Sequence, residues 1–166
     1  VWASAASLVP GQALGPDDLV VAEVNLADVG DKYLSADTPL PQDSSVRSVI
    51  AEGELVPASA VTPMAELEGR IVAIDVPGSV PSVVDRGSLV DVWAQPESTG
   101  LDDEAGDPEQ IVSGAPVAHI TRDVGSFGVG DGARIEVFVP ATALSGVLSA
   151  LDGRSVLSVV GAPGGS

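Results

Sequence analysis

The sequence predicts a mainly β protein with few helices, an α+β fold that is rich in turns. The 166 residues include 19 Gly and 13 Pro, which favour turns and argue against a helical bundle. Aromatic residues are scarce, with two Trp, two Phe and one Tyr, so Val, Ala and Leu must form the core. Packing by small and β-branched side chains is typical of β-sheet layers.

Short apolar runs, separated by turn-forming residues, predict the strands of the first half in order. Residues 1–6 and 19–24 each form a predicted strand, the second one strongly β-branched. Residues 25–42 contain several helix-breaking residues and predict a loop with one short helical turn. A third strand is expected at 46–50, and residues 62–69 provide a joint and a connecting turn.

The second half contains most of the predicted strands. We expect them at residues 70–76, 89–94, 111–121, 133–139 and 155–160. Within 89–94 the Val residues alternate with Asp91 and Trp93, so the Val face is expected to be buried. Gly114 and Pro116 interrupt the next strand and predict a bulge or a bend there.

Two helical segments are expected in this half. Residues 80–84 are bracketed by Pro and Gly and predict one turn of helix packed on the sheet. Apolar residues three, four and seven apart predict an amphipathic helix over 142–151, with this face formed by Leu144, Val147, Leu148 and Leu151. Pro140 before this helix and Gly153 after it are the expected flanking residues.

Three segments are predicted as loops or tails. An acidic loop at about 95–110 holds six carboxylates and no basic residue, and is expected to be a mobile hairpin loop with weak Ca²⁺ binding as the alternative. The Gly-rich loop around 125–130 lacks the Lys of a phosphate-binding loop. Phe127, at its tip, is a possible contact residue. Residues 161–166 form a flexible tail.

A Gly turn followed by an apolar clasp occurs twice in the first half. Val9 to Leu19 contains the first copy, and Ile50 to Val61 contains the second, which has one residue fewer between its Gly and its Leu. The repeat predicts two similar β-turn units packed against each other. We expect the fold-defining turn residues to be Pro10, Gly11, Leu14, Asp18, Leu19, Gly53 and Leu55.

The run WASAASLVPGQALGPDDLVVAEV, with Gly53-Glu54-Leu55 after it, resembles a SAF domain, the small β-clip module of antifreeze proteins and sialic acid synthases. The remaining motifs resemble the Flp pilus assembly family of the CpaB/RcpC type. They are RIVAIDV, DRGSLVDVWA and VFVPATALSGVLSALDGRSVLSVV, in that order. We divide the chain into a SAF-like β-clip domain at 1–63 and a CpaB/RcpC-like module at 64–166. Alternatively, the strands at Arg70 and Leu89 complete the first sheet and give one continuous body.

The resemblance implies a non-catalytic assembly or scaffold component of a Flp-type pilus or secretion system. It implies a membrane-anchored location at the cell surface, outside the cytoplasm, with envelope proteins or cell-wall polymer as partners. The chain begins at Val1 without Met, and we expect a membrane helix to precede it. The alternative is a carbohydrate-binding module for cell-wall or acidic sugars, because SAF domains of sialic acid synthases help to form a sugar site.

The net charge of −17, with a single Lys, bears on the possible partners. Such a field repels nucleic acid and anionic headgroups, so DNA and RNA binding are not expected. The acidic balance is expected to be a solubility trait of the source organism, with attraction of cations or a basic partner as the alternative. The chain has no Cys, which excludes disulfides, thiol catalysis and zinc–thiolate sites.

The candidate catalytic side chains lack the partners that catalysis requires. His119, the one His, lies in a strand pattern without a nucleophile motif, and a structural role is expected. Asp17 and Asp18 stand where a helical turn begins and are assigned to capping. Asp85 and Asp91 are the other carboxylates considered as an acid–base pair. A SAF-type hydrolyase needs His or Lys after the first strand, where Ser and Leu stand, so we expect no enzyme activity, no cofactor and no metal.

Overall fold

The computed structural model describes residues 1–97, 106–123, 132–153 and 155–162. Phe127, residues 98–105 of the acidic loop and the last four residues therefore lie outside the described residues. Within the described ranges the chain is mainly β and has one α-helix, so the predicted fold class is confirmed at this level. The chain divides into two compact units, Val1–Glu68 and Gly69–Ser166.

The boundary between the units lies after Glu68, whereas the sequence analysis put it after residue 63. The strands that begin at Gly69 and Leu89 both belong to the sheet of the second unit. The alternative in which they complete the first sheet is therefore wrong. Both strands are long and apolar on alternate residues, and they find matching partners only in the other long strands of their own unit.

Four short strands and four 3₁₀ turns form the first unit. The strands are β1 (Trp2–Ser4), β2 (Leu19–Val21), β3 (Ser44–Val46) and β4 (Val61–Pro63). The 3₁₀ turns are Pro16–Asp18, Ala27–Lys32, Ala58–Ala60 and Met64–Glu66. β1 pairs with β2, and β3 pairs with β4, both in antiparallel fashion. The strands predicted at 1–6 and 19–24 are present as the shorter β1 and β2. The strand predicted at 46–50 is wrong beyond Val46, because β3 lies at Ser44–Val46, and β4 forms where a joint was expected.

The unit is built from two copies of one motif, separated by 42 residues. β3 repeats β1, Ala58–Ala60 repeats Pro16–Asp18, and β4 repeats β2, each at this spacing. The Gly turns coincide as well, because Gly11 has φ +86° and Gly53 has φ +78°. Only Gly adopts this left-handed region without a steric penalty.

The constant spacing corrects the internal alignment of the repeat. The sequence analysis matched Leu14 with Leu55 and inferred that the second copy is one residue shorter. In the structure the position equivalent to Leu14 is Val56, which is fully buried, and the two copies have equal length between these points. Leu55 is half-buried and forms an isolated bridge with Ala3. Leu55 shares its residue type with Leu14, which led to the wrong alignment. Val56 shares its burial and its place in the repeat, which identify it as the equivalent residue.

Reciprocal backbone hydrogen bonds join the two copies. Leu8 N–H donates to Ile50 O at 2.9 Å, and Ile50 N–H donates to Leu8 O at 3.1 Å. These residues occupy equivalent positions, so the pair lies on the approximate twofold axis. The other matched pair is Leu14 N–H to Ser44 O at 2.8 Å and Val56 N–H to Trp2 O at 2.9 Å. Each copy therefore donates the same two backbone hydrogen bonds to the other copy.

A small apolar core fills the space between the copies. Its buried members are Leu8, Leu14, Leu19, Val46, Ile50, Val56 and Ala60. The buried hydroxyls at its edge are bonded: Ser44 Oγ donates to Pro41 O at 2.8 Å, and Ser45 Oγ accepts from Gly11 N–H at 3.2 Å. Bonded in this way, the hydroxyls avoid the cost of an unpaired buried polar group.

The second unit is one antiparallel sheet with a helix. Its elements are β5 (Gly69–Pro77), β6 (Leu89–Pro96), β7 (Glu109–Asp123), β8 (Gly132–Pro140), α1 (Ala141–Asp152) and β9 (Ser155–Gly161). The strand order is β5-β8-β7-β6-β9. The two outer strands, β5 and β9, also lie close to each other, so the sheet curls around its apolar face.

Val residues dominate the core of this unit. The predicted Val face of β6 is confirmed, because Val90, Val92 and Ala94 are buried while Trp93 is half-buried. The other inward side chains include Ile74, Val76, Val112, Ala115, Val117, Ile135, Val137, Val139, Leu157 and Val159.

Two helical predictions for this unit need correction. Residues 80–84 form a single hydrogen-bonded turn, with Val84 N–H donating to Pro81 O at 3.0 Å, and not a turn of helix. Arg122 Nη2 also donates to the Pro81 and Val84 carbonyls, so the guanidinium binds both ends of this turn. In α1 the buried residues are Val147 and Ala150, whereas Leu148 and Leu151 are exposed. Small Ala side chains allow the helix to lie close against the sheet.

We expect Gly53→Ala to lower the free energy of unfolding by about 1–2 kcal/mol, because an L residue is strained at positive φ. A Cβ at Gly53 meets no atom within 4 Å, so the loss reports backbone strain and not a clash. Gly30→Ala is the matched control, since its Cβ also meets nothing within 4 Å and its φ is ordinary. Urea denaturation of both variants measures the difference, and equal effects would contradict the assignment.

Candidate functional site

The predicted turn residues come together in the first unit, where they hold the backbone. Leu14 and Leu19 are buried in the core between the copies, and Pro10 is buried beside Gly11. Asp18 Oδ2 accepts a hydrogen bond from Gly15 N–H at 2.8 Å, at the start of the 3₁₀ turn Pro16–Asp18. This contact is the expected capping interaction of an acidic residue with the first backbone donors of a helical turn.

The other carboxylates considered for catalysis have local roles. Asp85 Oδ1 accepts from Arg86 N–H at 2.8 Å, and Asp85 N–H donates to Ser88 Oγ at 3.0 Å, so this residue shapes the turn before β6. His119 is exposed on β7, directly across from Glu136 on β8. Asp85 and Asp91 accept hydrogen bonds from different backbone amides, those of Arg86 and Gly114.

Asp91 holds the predicted bulge in β7. The pairing between β6 and β7 shifts by one residue between Val90 and Val92, and Gly114 in the bulge has φ +62°. Asp91 Oδ1 accepts a hydrogen bond from Gly114 N–H at 2.8 Å. A bulge leaves one strand residue without its regular partner in the ladder. Here a side-chain acceptor on the neighbouring strand satisfies the N–H group of that residue.

A shallow apolar depression lies on the outer face of the second unit. Its volume is about 340 Å³, and its lining residues are Trp93, Gln95, Pro108, Ser158 and Val160. Trp93 lies opposite Ser158 on β9, and Val160 is 45% exposed. The indole therefore presents part of an apolar ring beside an amide and a hydroxyl. Such a combination suits a flat ligand that has both apolar and polar groups.

The sequence analysis did not select Trp93 as a site residue. The signal was present in the alternation of β6, where Trp93 falls on the face opposite the buried Val residues. Its neighbours on β9 and near the start of β7 come from distant parts of the chain. The depression itself was therefore not visible from sequence.

A second and wider cleft of about 920 Å³ opens between the ends of β5, β8 and β9. Arg134 Nε and Nη2 bind the two carboxylate oxygens of Asp75 at 2.8 and 3.1 Å along its wall. Both side chains are more than half exposed, so this ion pair contributes at most about 1 kcal/mol. Thr121 and Ser155 add hydroxyls to the lining. The cleft is open and mixed in character, which gives it no defined ligand chemistry.

Several predicted features fall partly or wholly outside the described residues. Phe127 is one of them, so its role as a contact residue remains a prediction. Of the acidic loop, Glu97, Asp107 and Glu109 are described, and all three are exposed. Within the described ranges, no group of three or more His, Asp or Glu side chains is arranged to hold a metal ion.

Comparisons with known proteins give no assignment. No protein-family model matches the chain. Searches of the curated proteins and of the solved structures likewise return no significant match. The resemblance to SAF domains and to the CpaB/RcpC family therefore rests on the motifs of this sequence, and its functional implications are proposals. In the part of the chain that the structure describes, no helix has the length and apolarity needed to cross a membrane.

We expect Asp91→Ala to destabilise the protein by about 1–3 kcal/mol, because Gly114 N–H loses a charged acceptor. Asp91→Asn retains an acceptor oxygen and is expected to cost less. Asp107→Ala removes the same charge from an exposed position and is the matched control. Urea denaturation compares the three variants. A loss in Asp107→Ala equal to that in Asp91→Ala would mean that charge, and not this hydrogen bond, accounts for the effect.

Proposed function

We propose that this chain is a non-catalytic envelope protein that serves as an assembly or scaffold component of a Flp-type pilus or secretion system. In this proposal the first unit is a SAF-like β-clip, and the second unit is a CpaB/RcpC-like module. The paired Gly turns of the first unit are the observation that carries the proposal. The order of the motifs along the second unit adds to it.

The first unit supports the β-clip assignment through the positions of its motif residues. The motif glycines, Gly11 and Gly53, stand at positive φ, where the backbone reverses. Leu14 and Leu19 are buried between the copies, and Asp18 caps the turn between them. Residues of the resemblance thus occupy positions at which their chemistry is needed for the fold. A chance match of letters has no reason to meet this condition.

The second unit supports the CpaB/RcpC-like assignment through its element boundaries. RIVAIDV coincides with β5, and DRGSLVDVWA covers a turn followed by β6. The last motif spans the end of β8, the whole of α1 and most of β9. The first two motifs therefore each contain one strand of the sheet, and the last contains α1 with the adjoining parts of β8 and β9.

The proposed location is the cell surface, outside the cytoplasmic membrane, with anchoring by a helix that precedes Val1. Two small units stabilised mainly by backbone pairing and Val packing suit a scaffold, whose partners need a constant surface. The partners are envelope proteins of the assembly or cell-wall polymer. The net charge of −17 favours basic surfaces among them.

The depression around Trp93 favours one second candidate, a module that binds cell-wall or acidic sugars. A sugar ring has an apolar face and a polar rim, which matches the partly exposed indole of Trp93 beside Gln95 and Ser158. The small area of the depression and the acidity of the chain make neutral cell-wall fragments better ligands than acidic sugars. This candidate retains the envelope location and changes only the class of partner.

The scaffold proposal predicts that the protein is located in the cell envelope and that its partners are envelope proteins. The reading frame upstream of Val1 should encode about 20 consecutive apolar residues, which is the length of a membrane helix. Crosslinking of the tagged full-length protein in its own host, followed by recovery from the envelope fraction, should capture pilus or secretion subunits. A tagged variant without the apolar segment is the control. Recovery of cytoplasmic partners alone would contradict the proposal.

The sugar-binding candidate predicts a change in Trp93 fluorescence when the protein is titrated with soluble cell-wall fragments. Trp93→Phe keeps a ring in the depression and removes the signal, while Trp93→Ala should abolish binding. Trp2 lies in the other unit and provides an unchanging internal reference. Calorimetry with Trp93→Phe separates loss of signal from loss of binding. An unaltered spectrum at saturating fragment would rule this candidate out.

A further inference from the structure

The two copies of the first unit differ at one edge. Val20 and Val21 of β2 are 47% and 62% exposed. Their equivalents on β4, at the spacing of 42 residues, are Thr62 and Pro63. Thr62 is 2% exposed and its hydroxyl lies 3.4 Å from the Glu66 carboxylate. The position of Val20 is therefore buried and polar in the second copy, while the position of Val21 stays exposed there but is occupied by Pro63.

The backbone of β2 has hydrogen-bonding groups on this edge. Ala22 N–H donates to Val1 O at 2.9 Å, and Ala5 N–H donates to Asp18 O at 2.8 Å. These bonds place the even-numbered residues of β2 toward β1. In an antiparallel pair the alternate residues face the other way, so the N–H and C=O of Val21 point outward. Among the described residues, β2 pairs only with β1, which makes this side a sheet edge.

The equivalent edge of β4 carries a feature that blocks further pairing. Pro63 has no N–H, and it stands at the position of Val21 with φ −57° and ψ 137°. Proline at an edge strand is a common protection against pairing with another chain. The 3₁₀ turn Met64–Glu66 follows at once, whereas the chain after β2 continues without regular structure to Leu26. The same strand edge is therefore blocked by Pro63 in β4 and left unblocked at Val21 in β2.

Charge around the open edge selects the partner. Every charged side chain among residues 1–31 is a carboxylate, namely Asp17, Asp18, Glu23, Asp28 and Asp31. Asp17 and Glu23 flank β2 on either side and are exposed. A strand with Lys or Arg at its ends meets complementary charge there, and a second copy of this acidic chain meets repulsion.

We propose that the open edge of β2 binds an extended apolar segment with basic flanks from a partner protein, by addition of a strand. In this mode the backbone bonds at Val21 supply affinity, and the alternate side chains and flanking charges supply specificity. The edge is available in this way whether or not the chain serves a pilus, so failure of the scaffold proposal leaves it intact.

The test uses the whole chain and a dye-labelled synthetic peptide, Lys-Thr-Val-Thr-Val-Thr-Lys, with binding followed by fluorescence anisotropy. Val21→Pro copies the residue of the blocked edge and should weaken binding by about tenfold, because the outward donor is lost. Val21→Thr keeps the donor and nearly the same shape, and should bind within about threefold of the original chain. Val21→Lys keeps the donor, adds like charge to the peptide's flanks, and should weaken binding.

Two changes to the peptide test the same contact without altering the protein. Methylation of its central backbone nitrogens removes the donors that a strand needs, and should abolish binding. Replacement of both Lys residues by Glu should weaken binding, and added salt should reduce the difference between the two peptides. Circular dichroism verifies that each protein variant is folded.

Three outcomes would overturn the proposal. The first is equal affinity of folded Val21→Pro and Val21→Thr for the peptide. The second is binding of the Glu-flanked peptide as tightly as the Lys-flanked one. The third is dimerisation of the chain, measured by sedimentation, that Val21→Pro abolishes, since a second copy would then occupy the edge in place of a basic partner.

Discussion

Reciprocal pairing between two copies of one motif, spaced 42 residues apart, is the interaction on which the first unit depends. Each β-ladder has only three residue pairs, which is too short to be stable by itself. The bonds between Leu8 and Ile50 join the two copies, and both copies contribute to a single apolar core. The left-handed turns at Gly11 and Gly53 make this approach possible, because they reverse the chain between the pairing positions. Substitution at either turn therefore acts on both copies.

The second unit solves a different packing problem, which arises from the shortage of aromatic residues. Val side chains are small, so a single sheet must curl to enclose enough of them, and α1 closes the space with Val147 and Ala150. The bulge at Gly114, secured by Asp91, permits the local bend in β7. The one large residue of β6, Trp93, lies on the other face and leaves part of its ring available. The features that build the core thus also create the depression around Trp93.

Both candidate contact surfaces contain apolar side chains that retain exposed surface. Val21 is 62% exposed and Trp93 is half-buried, whereas other exposed apolar residues, such as Val83 and Leu148, line neither surface. Exposed single apolar residues are ordinary in proteins. Val21 and Trp93 differ because each belongs to a defined geometry, a sheet edge in one unit and a lined depression in the other. The proposed protein contact uses the first surface, and the proposed flat ligand uses the second.

Local pattern by itself determined β1, β2, the five strands of the second unit and the position of α1, because alternation, Gly and Pro act through neighbouring residues. It also determined that Val90 and Val92 point inward. Only the tertiary structure decided which residues match across the repeat, since burial equates Leu14 with Val56 while the letters favour Leu55. It alone decided that Leu148 and Leu151 of α1 stay exposed, and that the sheet order is β5-β8-β7-β6-β9. These outcomes depend on contacts between residues far apart in the chain, and a short window of sequence holds no information about such contacts.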